Sequence, residues 1–194
     1  MSPLNLRNGL YAITDSALIP RHRLVESVAA ALAGGATLIQ YRDKQLDGRT
    51  RTHEAETLAE LCRQHAVPLI INDDVDLAAA VGAAGVHLGK GDTSLSKARR
   101  RLGPDALIGV SCYNQLQRAI EARDAGASYV AFGRFFASRT KPAAVQAEAG
   151  LLQQASGQLD IPIVAIGGIT PENGHILVEA GANLLAVIHG VFGQ

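Results

Sequence analysis

"GGATLIQYR" (34–42), "GAAGVHLG" (82–89), "DAGASYVAFG" (124–133) and "EAGANLLAVI" (179–188) are four versions of one pattern. Each holds the end of a helix-like segment, closing on Ala and Gly, and then a short apolar run. Glycine suits that junction because a helix commonly ends on a left-handed residue, where a side chain carries a steric penalty. The apolar runs do not alternate with polar residues. Strands buried on both faces read this way, as in a parallel sheet covered by helices.

Three further apolar runs, at 69–71, 107–110 and 163–166, and one at the start, 10–14, bring the strands to eight. Helical patterns fall between them at 23–33, 50–64, 75–83, 94–102, 115–125 and 171–180. Thr170 followed by Pro171 reads as a cap with proline at the first helical position. Eight strands in 194 residues give one βα unit per roughly 24 residues, near the lower size of an eight-stranded barrel. The expected fold is therefore α/β, a single-domain (β/α)8 TIM barrel over residues 1–194. An open doubly wound sheet has no fingerprint here. "GKGDTS" (89–94) has Ser94 where the dinucleotide motif needs glycine, and it lacks the first Gly and the final Ser/Thr of a phosphate loop. After the eighth strand, at 184–188, only residues 189–194 follow. The eighth helix is expected to be short or missing, with an open outer layer, a shortened chain or a covering partner there.

Eighteen basic residues balance eighteen acidic ones. A nucleic-acid or membrane-surface protein would carry a basic excess, so neither partner is expected, and any positive field is local. Cys62 and Cys112 have no metal-type spacing, which reads as a reduced, cytoplasmic protein without a disulfide. The N-terminus shows no signal peptide, and no run is long enough to span a bilayer.

In such barrels chemistry gathers at the C-terminal strand ends. Thr14 and Asp15 follow the first strand. Gln40, Arg42 and Lys44 alternate after the second, so they point one way. Asn72, Asp73 and Asp74 follow the third, and His87 and Asp92 the fourth. Ser111 and Cys112 follow the fifth. Ser138, Thr140 and Lys141 follow the sixth, Gly167 to Thr170 the seventh, His189 and Gly190 the eighth. Closure of the barrel would bring these cations, hydroxyls and two carboxylates to one mouth. Carboxylates among cations suit Mg²⁺ on a diphosphate, because Mg²⁺ takes few protein carboxylates and several phosphate or water oxygens. Each residue also has a plainer reading. Arg42 and Lys44 suit a solvated strand end, Asp73, Asp74 and Asp92 suit helix caps, and the glycine pair suits a tight turn. A lone His87 or His189 is more often structural than catalytic. The chain has no G-x-S-x-G elbow, H-E-x-x-H helix or cysteine pair with ligand spacing.

"GLYAITD", "QYRDK", "IINDDVDLA", "GVHLGKGD", "IGVSCYN", "YVAFGRFFASRTKP" and "AIGGITPEN" occur in this order. Together they resemble the thiamine phosphate synthase (thiamine-phosphate pyrophosphorylase) family from Gly9 to about Phe192. The resemblance implies a (β/α)8 fold and a transferase with Mg²⁺ as cofactor. Its reaction would join 4-amino-2-methyl-5-(diphosphooxymethyl)pyrimidine to 4-methyl-5-(2-phosphoethyl)thiazole, or its carboxylated form, giving thiamine phosphate and diphosphate. It implies Arg42, Lys44, Lys141 and Ser111 as catalytic residues. The pyrimidine diphosphate would be held by Gln40, Tyr41, Arg42, Asp43, Lys44, Asn72, Ser111 and Lys141. The thiazole phosphate would meet Ser138, Arg139, Thr140, Gly168, Ile188 and His189, and Asp73 and Asp92 would bind the metal. His189 stands where the family commonly has serine. A thiazole tautomerase-like relative, a Schiff-base aldolase using Lys44 or Lys141, and a non-catalytic thiamine phosphate sensor are the rival readings. The expected partners are small phosphorylated molecules, and the sequence leaves room for a homo-oligomer.

Overall fold

The apolar runs become strands, and each covers its neighbour in chain order. In the computed structural model, which describes residues 6, 8–44, 47–137 and 145–193, β1 (Gly9–Ile13), β2 (Ala36–Tyr41), β3 (Leu69–Asn72) and β4 (Gly85–Leu88) form the first half. β5 (Leu107–Tyr113), β6 (Tyr129–Gly133), β7 (Ile163–Ile166) and β8 (Leu184–Val187) form the second. All pairings are parallel, and β1 pairs with β8 from Gly9 opposite Leu184, so the eight strands close a barrel.

Closure explains the missing alternation. Along β1, Tyr11 and Ile13 point into the barrel while Ala12 points to the helices. Along β6, Tyr129 and Ala131 point inward while Val130 and Phe132 point outward. Both faces are buried, so both carry apolar residues.

The helices are α1 (Leu24–Ala33), α2 (Gly48–Gln64), α3 (Val75–Ala80), α4 (Leu95–Leu102), α5 (Leu116–Asp124), α6 (Ala149–Ser156), α7 (Gly174–Glu179) and α8 (His189–Phe192). Asp47 caps α2 by accepting from Thr50 N, and the helix lays Ala55, Leu58, Ala59 and Cys62 on the barrel. Three details differ from the sequence reading. Helix α6 was not expected, although Leu152 and Ala155, three apart, form its buried face. Helix α7 starts at Gly174, not Pro171. Pro171 sits in a preceding turn where Thr170 N donates to Asn173 Oδ1 at 2.8 Å. Strand β5 runs on to Tyr113, with an irregularity between Ser111 and Tyr113, so Ser111 and Cys112 lie within it. The short α8 seats Val191 and Phe192 against the core. Among the described residues no helix is long and apolar enough to cross a membrane.

Candidate active site

A cavity of about 350 Å³ opens at the C-terminal ends of the strands. Its two sides differ in chemistry. Gln40, Arg42, Lys44, Asn72, Asp73, His87 and Ser111 line one side. Ala131, Val164, Ile166, Ile169, Ala186 and Ile188 make the other mostly apolar, with Arg134, Thr170 and His189 and with Gly167, Gly168 and Gly190 on the same side.

Strand parity explains the polar side. Leu38 and Gln40 face inward, and the same face continues through Arg42 and Lys44 to the mouth. Tyr41 and Asp43, of opposite parity, are not brought to this cavity. They line a separate cleft of about 160 Å³ with Glu54, whose Oε2 accepts from Tyr41 Oη at 2.8 Å. Burial and that carboxylate together push the Tyr41 phenol well above its ordinary range.

The charges are paired before any ligand arrives. Arg42 Nη1 lies 3.2 Å from Asp15 Oδ2, and the Arg42 amide donates to Thr14 Oγ1 at 2.9 Å. These bonds tie the end of β2 to the loop after β1. Lys44 Nζ lies 3.3 Å from Asp73 Oδ2. Asp74, not Asp73, caps α3 by accepting from Leu77 N at 2.9 Å. Asp73 is left for the cavity, in the left-handed region at φ 63°, a conformation Asp tolerates better than most residues. Asp92 does not cap α4, whose N-cap is Ser94. Its Oδ2 accepts from Gly89 N at 2.6 Å. Partial burial and the neighbouring Asp73 carboxylate raise the Asp92 pKa. A second carboxylate that makes the Asp92 charge costlier fits a site that takes a cation. Among the described residues no cluster of three or more metal-type side chains forms. That donor set suits Mg²⁺, which leaves most of its sites to water and phosphate oxygens.

Below the mouth a hydrogen-bonded row crosses the barrel. Gln40 Nε2 donates to Tyr11 Oη at 2.6 Å, and Tyr11 Oη meets Tyr129 Oη at 2.9 Å. Tyr129 Oη lies 3.2 Å from His87 Nδ1, and His87 Nε2 lies 2.9 Å from Ser111 Oγ. Burial pushes both tyrosines up, so both hydroxyls keep their protons at neutral pH. Gly109 makes room for this row, since a Cβ there would stand 2.0 Å from Tyr129 Cζ.

On the apolar side Gly168 has φ 65°, and a Cβ would stand 2.3 Å from Ala137 O. The loops after β6 and β7 touch there: Phe135 N and Phe136 N donate to Ile166 O and Gly167 O at 3.1 and 3.0 Å. In α8, Val191 N and Phe192 N bond back to Ile188 O, so the turn does not use the amides of His189 and Gly190. Ser138, Arg139, Thr140 and Lys141 lie outside the described residues. The sequence reading placed Thr170 at this mouth but did not assign Tyr11, Tyr113 or Arg134, which also line the cavity. Arg134 could have been found as the first cation after β6. Tyr11 could not, because an aromatic in an apolar run looks like core.

The chain matches the family model described as thiamine monophosphate synthase over residues 10–191. It is 58% identical over 184 residues to a thiamine-phosphate synthase of Nitrosococcus oceani, covering 95% of this chain and 85% of that protein. It is 54% identical to one of Marinobacter nauticus, covering 97% and 84%. The solved thiamine phosphate pyrophosphorylase of Pyrococcus furiosus superposes with a TM-score of 0.87 at 37% identity, over 98% of this chain and 90% of that one. With these likenesses spanning both the barrel and the strand ends that line its cavity, the chain belongs to the thiamine monophosphate synthase family of transferases.

Proposed function

We propose that this protein joins the pyrimidine methylene of 4-amino-2-methyl-5-(diphosphooxymethyl)pyrimidine to the ring nitrogen of 4-methyl-5-(2-phosphoethyl)thiazole. The C–O bond to diphosphate breaks with both electrons leaving on oxygen, and the thiazole nitrogen lone pair forms the C–N bond. Thiamine phosphate and diphosphate result. A thiazole that carries an extra carboxylate would in addition lose carbon dioxide.

The observation that carries this reading is the two-sided cavity, with Arg42, Lys44, Asn72 and Ser111 facing an apolar wall. The aminopyrimidine ring donates electrons into the departing CH₂, so the path is dissociative and needs no nucleophilic side chain. It needs fixed positive charge where negative charge grows on the leaving oxygen. Arg42 is held for that task by Asp15 and does not reorganise. Lys44, already beside Asp73, exchanges part of that pairing for phosphate oxygens. Ile166, Ile169 and Ile188 keep water from the cation-like methylene, and the Gly168 loop holds the thiazole phosphate nearby. Asp73 and Asp92 would hold Mg²⁺, which when bound neutralises charge on the diphosphate. A reducing, cytoplasmic setting agrees with two buried free thiols.

Purified protein is given Mg²⁺ and the pyrimidine diphosphate, with and without thiazole phosphate, and diphosphate release is followed. Release that requires both substrates and yields thiamine phosphate is expected. A folded protein that binds thiamine phosphate and releases nothing would be a sensor, and one that only isomerises the thiazole would be a tautomerase.

A further inference from the structure

We infer that Tyr129 is a positioning residue that holds His87 as its neutral Nε2–H tautomer, so that Ser111 presents its hydroxyl proton to the cavity. The argument is one of proton counting along the buried row. Gln40 Nε2 can only donate, so Tyr11 Oη accepts from it at 2.6 Å. Tyr11 is 1% exposed, and among the described residues Tyr129 Oη, 2.9 Å away, is the acceptor within reach of its proton, so Tyr11 donates to Tyr129. The Tyr129 proton goes to His87 Nδ1 at 3.2 Å, which makes that nitrogen an acceptor. A neutral imidazole has one donor and one acceptor, so Nε2 carries the hydrogen and donates to Ser111 Oγ at 2.9 Å. Ser111 has one proton, and it is free to face the cavity.

The row is built to keep this direction. Gln40 is 3% exposed and His87 9%, and both tyrosine rings are closed off from water. The His87 ring stacks on the Tyr129 ring at 5.6 Å between centroids, and Tyr11 meets Tyr129 edge-on at 6.0 Å. Neither imidazole nor phenol can turn without breaking that packing. The opposite direction would give the Ser111 proton to His87 and turn the serine lone pairs toward the cavity. An anion drawn in by Arg42 and Lys44 would meet those lone pairs unfavourably. The ligand class served is therefore an acceptor-only group such as a phosphoryl oxygen. What Ser111 donates to rests on the proposed reaction, while the tautomer does not.

The test is ¹⁵N NMR of full-length protein labelled at histidine, at neutral pH. The His87 signals are identified by their loss in His87→Gln among the six histidines of the chain. The expected result is a pyrrole-type Nε2 and a pyridine-type Nδ1 in the wild type. In Tyr129→Phe that pattern gives way to a mixture of tautomers. With it kcat/KM for the pyrimidine diphosphate falls about tenfold, as loss of one hydrogen bond would give, while KM for thiazole phosphate holds. Should Tyr129→Phe not fold, Tyr11→Phe breaks the same row one link further away. A pyrrole-type Nδ1 in the wild type would overturn the inference, as would an unchanged tautomer in both variants. If the tautomer is as expected but no variant alters kcat/KM for the pyrimidine diphosphate, the positioning role of Tyr129 is overturned; a wild type with the expected tautomer and no turnover of the pyrimidine diphosphate would instead sink the assigned reaction.

Discussion

Lys44 Nζ stands 3.3 Å from Asp73 Oδ2 at the cavity mouth, with Asp92 close enough to Asp73 to raise its own pKa. One cation and two carboxylates share a small volume, and Asp73 is held there in a left-handed backbone. Asp73→Asn keeps both size and tolerance of that backbone, which Asp73→Ala would not. It should lower kcat on the order of a hundredfold, about 3 kcal/mol of barrier. It should also raise the Mg²⁺ concentration needed for half-maximal rate. Steady-state rates across a Mg²⁺ series check this, and an unchanged Mg²⁺ response would remove Asp73 from the metal site.

Arg42 has two duties that substitution can separate. Arg42→Ala removes the cation proposed to meet the diphosphate and leaves Asp15, 12% exposed at its side chain, without its 3.2 Å partner. Loss of activity should come with about 2 kcal/mol less stability, the cost of an unpaired part-buried group. Adding Asp15→Asn should recover much of the stability in urea unfolding and none of the turnover. Recovery of turnover would show that Arg42 acts only by bracing the loop.

Gly168→Ala forces a Cβ to within 2.3 Å of Ala137 O and strains a φ of 65°. The loops after β6 and β7 must then part. KM for thiazole phosphate should rise on the order of tenfold, as a misplaced ligand contact implies. KM for the pyrimidine diphosphate, proposed to bind on the far wall, should stay the same. A rise in both constants would place the glycine loop outside a distinct thiazole site.

Burial pushes the Cys62 thiol up from 9.0 to about 11 and the Cys112 thiol to about 12. Their folded pKa values lie above the unfolded ones, so the folded state retains protons that the unfolded state releases as pH rises. The stability they contribute is complete below about pH 9 and is lost between there and about pH 11 for Cys62 and about pH 12 for Cys112. The urea midpoint should fall across that window. It should fall less steeply in a Cys62→Ala, Cys112→Ala variant, with the buried tyrosines accounting for the remainder. Equal slopes would mean that the thiols are not shielded as the packing implies.

Much of the fold was legible because burial on two faces leaves a mark along the chain. The non-alternating runs, such as 36–41 and 129–133, could only be strands covered on both sides, and their glycine-ended approaches marked the preceding helices. Local chemistry also showed in part. The parity of Gln40, Arg42 and Lys44 placed all three on one side, where they line the cavity. Helix α6 went unseen because its buried Leu152 and Ala155 sit in a short, mildly amphipathic stretch.

What the chain order alone determined, then, was the strand count, the direction of side chains along each strand, and the residue types at each strand end. Those depend on periods of two and on nearest neighbours. Tertiary closure decided which of those groups meet. Asp15 belongs with Arg42, Asp74 caps a helix while Asp73 faces the cavity, and Tyr41 turns to Glu54. Tyr11 and Tyr129, 118 residues apart, join hydroxyl to hydroxyl inside the barrel. A hydrogen bond needs two partners at about 3 Å, and for residues so far apart only the closed barrel supplies that distance.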